Sequence, residues 1–129
     1  MKKISIVTGC FNEEENVEVL IHRIRDVMGK LPNYEYEQIL IDNHSSDNTV
    51  AIIKSLSKED KRIKLIVNAR NFGAVRSGYH GLLQGKGDCV IALASDLQDP
   101  PELIPELLQK WEEGFKVALL VKPESEELW

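Results

Sequence analysis

The chain has 129 residues, 43% of them hydrophobic, which suits one core and one domain. Its 16 Lys and Arg against 21 Asp and Glu give a formal net charge of −5 with no basic stripe, which excludes nucleic acid as the main partner and leaves no patch for an anionic membrane surface. No apolar run reaches the roughly 20 residues that cross a bilayer, and Met1-Lys2-Lys3 leads into a strand-like run rather than a signal peptide, so a soluble, cytoplasmic chain is expected.

Apolar, β-branched runs alternate with segments of helical period, which predicts a parallel sheet with crossover helices. After a first strand at residues 4–8, Val17, Leu20, Ile21, Ile24, Val27 and Met28 are spaced for one buried helical stripe, which Gly29 and Pro32 end. A second strand at 38–41 precedes a helix from near Asp47, which Ser46 or Asp47 would cap and which would bury Val50, Ile53 and Leu56. A third strand at 63–67 is followed from about Gly73 by a helix using Val75, Tyr79, Leu82 and Leu83, stopped by Gly85 and Gly87. The fourth strand, 89–93, leads through Pro100-Pro101 to a helix presenting Leu103, Ile104, Leu107, Leu108 and Trp111 and ended by Gly114. A fifth strand is expected at 116–121, before an acidic tail. Cys10 and Cys89 fall near opposite sheet ends, on the order of 15 Å apart at about 3.3 Å per residue, too far for a disulfide, and are read as reduced and buried.

Right-handed crossovers place every strand-to-helix loop on one rim of such a sheet. That rim collects residues 9–15, 42–47, 68–73 and 94–102, which hold nearly all the polar clusters that are not ordinary helix surface. Each cluster has a functional and a structural reading. The acids of Phe11-Asn12-Glu13-Glu14-Glu15-Asn16 could orient a ligand, or mark a helix start at the positive end of its macrodipole. In Asp42-Asn43-His44-Ser45-Ser46-Asp47-Asn48-Thr49, Ser46 and Asp47 suit a capping turn, whereas Asp42 is placed on a strand tip to accept hydrogen bonds from a nucleobase or ribose. His44 has no metal-spaced partner and is read as a loop residue.

Arg70-Asn71-Phe72-Gly73, with Arg76 beyond it, offers guanidinium forks suited to a diphosphate, or to a surface ion pair, and Phe72 is assigned to the core. In Ala94-Ser95-Asp96-Leu97-Gln98-Asp99-Pro100-Pro101-Glu102 there are more acids than capping one helix requires. Asp96 and Gln98 share a side in an extended chain and supply oxygens that suit Mg²⁺ or Mn²⁺ bridging to a diphosphate.

Together the four loops resemble the nucleotide-sugar-binding half of the family 2 glycosyltransferases, which have the GT-A fold. The subgroup is the one containing dolichol-phosphate mannose synthase and bacterial polyprenyl-phosphate glycosyltransferases. Four motifs in order carry the resemblance: 4–7 through Asn16, Asp42 with Ser45 to Thr49, Arg70 to Gly73, and Asp96 to Glu102. The resemblance implies a Rossmann-like, mostly parallel α/β sheet flanked by helices, with 1–129 forming one nucleotide-sugar-binding domain at the N-terminal side of a longer enzyme. It implies an inverting transferase that moves a sugar from a UDP- or GDP-sugar to a polyprenyl-phosphate or saccharide acceptor. Phe11, Asn12, Glu14, Asp42, Asn43, Arg70, Gly73 and Arg76 would hold the nucleotide, and Asp96 and Gln98 the Mg²⁺ or Mn²⁺.

The general base is expected beyond Trp129, and the longer enzyme is expected at the cytoplasmic face of a membrane and able to form homo-oligomers. Three positions depart from the family pattern: Gly9 replaces Pro, Asn43 a second Asp, and Ala94 the first Asp of Asp-x-Asp, which weakens the metal site. Two alternatives stand beside this: a catalytically silent nucleotide-binding relative, and a receiver-like signalling module. The second lacks the Asp that a receiver needs after its third strand.

Overall fold

The computed structural model describes residues 1–93 and 100–114, with the side chains at 74, 75, 78 and 79 left out. The strand expected at 116–121 and the acidic turn at 94–99 lie outside the described residues. The elements run β1 (Lys2–Cys10), α1 (Val17–Gly29), β2 (Tyr34–Asp42), α2 (Thr49–Glu59), β3 (Ile63–Val67), α3 (Ala74–Gln84) and β4 (Cys89–Ala92). A 3₁₀ turn, Pro101–Leu103, then leads into α4 (Ile104–Glu112). The strands pair in the order β3-β2-β1-β4, all parallel.

β1 and β2 outrun their apolar runs because they pair without a break from Lys2↔Tyr34 to Cys10↔Asp42. A parallel partner satisfies the backbone of polar residues as well as apolar ones.

One face of the sheet carries α1, α2 and α4. Ile4, Ile6 and Ile91 pack there with Leu20, Ile24, Ile104 and Leu108, while Cys10 and Leu40 pack with Val17, Ile21 and Ile53. All six residues of the expected α1 stripe are buried. In α2 the buried residues are Thr49 and Ile53, with Val50 and Leu56 only half-buried, and in α4 they are Ile104 and Leu108.

The other face carries α3, where Leu82 and Leu83 differ from the sequence expectation and Val75 and Tyr79 lie outside the described side chains. They are 40% and 63% exposed, and among the described positions of the helix Ser77 and Gly81 are buried. A Cβ on Gly81 would collide with Ile41 Cδ1 and sit 2.8 Å from Val7 Cγ1, so at Gly81 the backbone of α3 lies close against the sheet. Both cysteines are free; Cys10 is buried as expected, but Cys89, at the start of β4, is half-buried.

Below α3 a polar knot closes the end of the sheet away from the loops. Buried Glu37 accepts from the Ser5 hydroxyl (2.5 Å), Lys64 Nζ (2.5 Å) and the Lys86 N–H (2.9 Å), and the Gly87 N–H donates to Ser5 Oγ (2.8 Å). Burial alone would push the Glu37 carboxyl up, but the Lys64 ammonium, the Ser5 hydroxyl and the Lys86 amide outweigh it and hold the group at about 2. The knot joins the α3–β4 turn to β1 and β2.

Candidate functional site

At the opposite end, register places Cys10, Asp42 and Val67 side by side, so the loops leaving β1, β2 and β3 share one rim. The rim is built as a lattice of reciprocal hydrogen bonds. Asn12 donates its N–H to Ser45 Oγ (2.9 Å) and accepts the Ser46 N–H on Oδ1 (2.9 Å). Glu13 N–H reaches Thr49 Oγ1 (2.9 Å), Glu14 N–H reaches Asp47 Oδ2 (3.3 Å), and Glu14 Oε2 accepts the Asn48 N–H (3.1 Å). The loop after β1 is therefore fastened to the loop after β2, and Glu14 satisfies an amide ahead of α2.

Asp47 accepts the N–H of Thr49 (2.9 Å), the first residue of α2, from the position before the N-cap Asn48, so the helix starts near Asp47 as expected. Burial tends to raise its carboxyl, and the hydroxyl and amide of Thr49 with the Glu14 amide bring it below the ordinary Asp value. Ser46 caps nothing; its amide goes to Asn12.

Asp42, fully buried, holds the Ser45 N–H (2.8 Å) and the Ser45 hydroxyl on its two oxygens. This corrects the view that Asp42 stands apart from the capping chemistry of its loop, because a carboxylate at a strand tip folds back on the chain when a Ser lies three residues on. Beside it the Cys10 thiol is pushed up to about 12 by burial and by the charges of Asp42 and Glu13, so it is a packing group rather than a nucleophile.

The third loop is tied in by carboxamides. Buried Asn43 accepts the Phe72 N–H (2.9 Å) and Asn68 Nδ2 (3.1 Å) on Oδ1 and donates from Nδ2 to Asn71 Oδ1 (2.8 Å). Phe72 is 38% exposed, which corrects its assignment to the core; the Arg70 guanidinium covers its ring at 4.7 Å. Gly73 begins α3 at φ +84°, ψ 153°, a conformation open only to glycine.

Of the residues expected at the site, Asn12, Glu14, Asp42, Asn43 and Gly73 are brought into this bonded rim. Phe11, Arg70 and Arg76 are exposed, and Asp96 and Gln98 lie outside the described residues. Ser45, Thr49, Asn68, Asn71 and Ser77 also build the rim, although singly they look like turn formers or helix surface. The one available signal was how many short polar side chains with both donors and acceptors cluster after each strand.

Among the described residues no group of three or more His, Cys, Asp or Glu side chains could hold a metal ion, and no helix is long and apolar enough to cross a membrane.

Residues 5–127 match the family described as Glycosyl transferase family 2. The chain is similar to the bactoprenol glucosyl transferase of Shigella phage SfV, 39% identical over 117 residues, or 91% of this chain and 38% of that protein. It is also similar to the glycosyltransferase YkcC of Bacillus subtilis, 35% identical over 118 residues, or 92% of this chain and 36% of that protein. The chain thus spans a little over a third of the length of these curated relatives. Among solved structures, the mannosyltransferase PcManGT of Pyrobaculum calidifontis, in complex with GDP-Man and Mn²⁺, superposes with a TM-score of 0.71 at 16% identity, over 85% of this chain and 32% of that one. That likeness shows the fold, a mostly parallel sheet flanked by helices as in GT-A glycosyltransferases. With the family model matching residues 5–127, almost the whole length, the chain belongs to glycosyl transferase family 2.

Proposed function

We propose that this chain is the donor-binding part of an inverting glycosyltransferase that takes a sugar from a UDP- or GDP-sugar and passes it to a polyprenyl-phosphate or saccharide acceptor. The observation that carries this is the bonded rim at the carboxyl ends of β1, β2 and β3, where open α/β sheets bind ligands. Bactoprenol glucosyl transferases among the relatives support the lipid-linked acceptor.

In this reading Asp42 and the loop after β1, with Phe11, Asn12 and Glu14, bound the pocket for base and ribose. Exposed Arg70 and Arg76 face the diphosphate with their guanidinium forks. The described residues hold no metal cluster of their own, so a divalent cation depends on Asp96 and Gln98, with Ala94 in place of a further acid. Such an ion, when bound, offsets charge on the departing nucleoside diphosphate. The general base and acceptor contacts belong to the longer enzyme, at the cytoplasmic face of a membrane.

Thermal unfolding with and without UDP, GDP and their sugar conjugates, each with and without Mn²⁺, tests this. A ligand at about 100 times its Kd adds about 2.7 kcal/mol of stability, and the transition moves up accordingly. No shift and no calorimetric signal with any of them would end the reading. Ala94 favours a second reading, a metal-independent or silent nucleotide binder. Ala94→Asp separates the two: tighter Mn²⁺ binding supports the metal site, and no gain supports the silent binder.

A further inference from the structure

We infer that Asn43 is a positioning residue, whose carboxamide holds the Arg70-to-Gly73 turn against the tip of β2 instead of meeting a ligand. Its consequence for binding rests on the nucleotide-sugar reading above; its geometry does not. Asn43 is 6% exposed, and its oxygen already takes two donors, the Phe72 N–H and Asn68 Nδ2. Little of it is left for a ligand.

The bonding decides which group position 43 can carry. A backbone N–H only donates, so the Phe72 amide fixes which end of the Asn43 side chain is oxygen. The Gly73 N–H, 2.8 Å from Asn71 Oδ1, fixes Asn71 in the same way. With both amides oriented, Asn43 Nδ2 meets Asn71 Oδ1 as donor to acceptor at 2.8 Å. In this chain, with Asn71 oriented in this way, position 43 accepts and donates at once, where the family pattern of a second Asp would only accept.

An aspartate there keeps the Phe72 bond but sets an anionic oxygen against the oxygen of Asn71. If Asn71 turns over to donate, the Gly73 N–H loses its acceptor at a residue already held at φ +84°. Asn68 extends the tie: its Nδ2 also donates to Ser77 Oγ (3.0 Å) on α3, and its N–H to Asp42 O (2.8 Å). Since the Arg70 guanidinium lies on the ring of Phe72, the residue whose amide Asn43 grips, this carboxamide sets where that cation stands on the rim.

The test is residue-resolved amide hydrogen exchange of the 129-residue chain and of its Asn43→Asp variant. Gly73 should exchange about tenfold faster in the variant while Phe72 stays within about twofold, because only the donor half of the carboxamide is lost. Unchanged exchange at Gly73 would overturn the inference, as would an equal rise at both amides, the mark of general loosening. Asn71→Ala, which removes the shared acceptor without adding charge, should release Gly73 similarly and weaken UDP or GDP binding about fivefold, with no further loss in the double variant. Fully additive losses in affinity would show that positions 43 and 71 act separately and would also overturn it. If the unaltered chain binds neither nucleotide, the proposed function fails while the exchange result still decides the role of Asn43.

Discussion

Asp42 ends β2 with its carboxylate turned back onto Ser45, and a charge buried so completely depends on those two donors. Asp42→Ala should lower the unfolding free energy by about 1–3 kcal/mol, the usual cost of leaving buried polar partners unpaired, as read by urea denaturation. Nucleotide affinity should fall, because release of the Ser45 turn reshapes the rim, as read by calorimetry at temperatures where the variant is still folded. A variant as stable as the parent would mean that the Ser45 turn holds itself. At this scale the sequence allowed Asp42 and Asn43 to be placed on a strand tip, because an acidic and amide-rich stretch followed an apolar run. It did not reveal the bonds of Asn43, whose partners stand 25 to 29 positions away and are brought near only by strand register, whereas the partner of Asp42, Ser45, lies three residues on. Phe72 was misplaced for a related reason: hydrophobicity suggested burial, whereas a neighbouring cation covers the ring in the open.

Among the elements, the β1–β2 pair carries the chain's most perturbed carboxyl among the described residues. Glu37 sits at about 2 in the folded chain, below its ordinary value of 4.5, so folding favours the ionised form. That contribution is complete above about pH 4.5 and fades as pH falls towards 2, a loss of roughly 2–3 kcal/mol. Urea unfolding between pH 6 and 2.5 should show this slope in the parent and a flatter one in Glu37→Gln. Parallel curves would mean that other carboxylates govern the acid limb. The helices differ in how well they could be read. α1 was legible because its buried residues are large, apolar and spaced at 3.6, but the described positions of α3 include buried Ser77 and Gly81, which hydrophobic periodicity does not register. The glycines that resemble stop signals also serve packing: a Cβ on Gly87 would lie 2.6 Å from the Lys3 carbonyl.

For the whole molecule, α4 is held to α1 and β1 by two kinds of contact of unequal weight. Arg23 of α1 pairs with Glu102 in the turn before α4, and Lys2 pairs with Glu112 (2.8 Å) while lying over the Trp111 ring. These charges are largely in water, so Arg23→Ala should cost under about 1 kcal/mol. Ile104 and Leu108 are buried in the main core cluster, and Leu108→Ala should cost about 2–5 kcal/mol. Chemical denaturation of the two variants compares them directly, and equal losses would contradict this ranking. The alternation of strands and helices, and so the shared rim, was legible from the sequence; the strand order was not, because nothing local says that β1 lies between β2 and β4. That order has a consequence for synthesis on the ribosome. Ile4 pairs with Cys89, 85 residues later, so one edge of β1 waits roughly 4–17 s for its partner to be made at 5–20 residues per second. During that interval the nascent chain presents an unpaired strand edge, and a cell starved of holding chaperones should lose this protein to aggregation before its last described helix has left the exit tunnel.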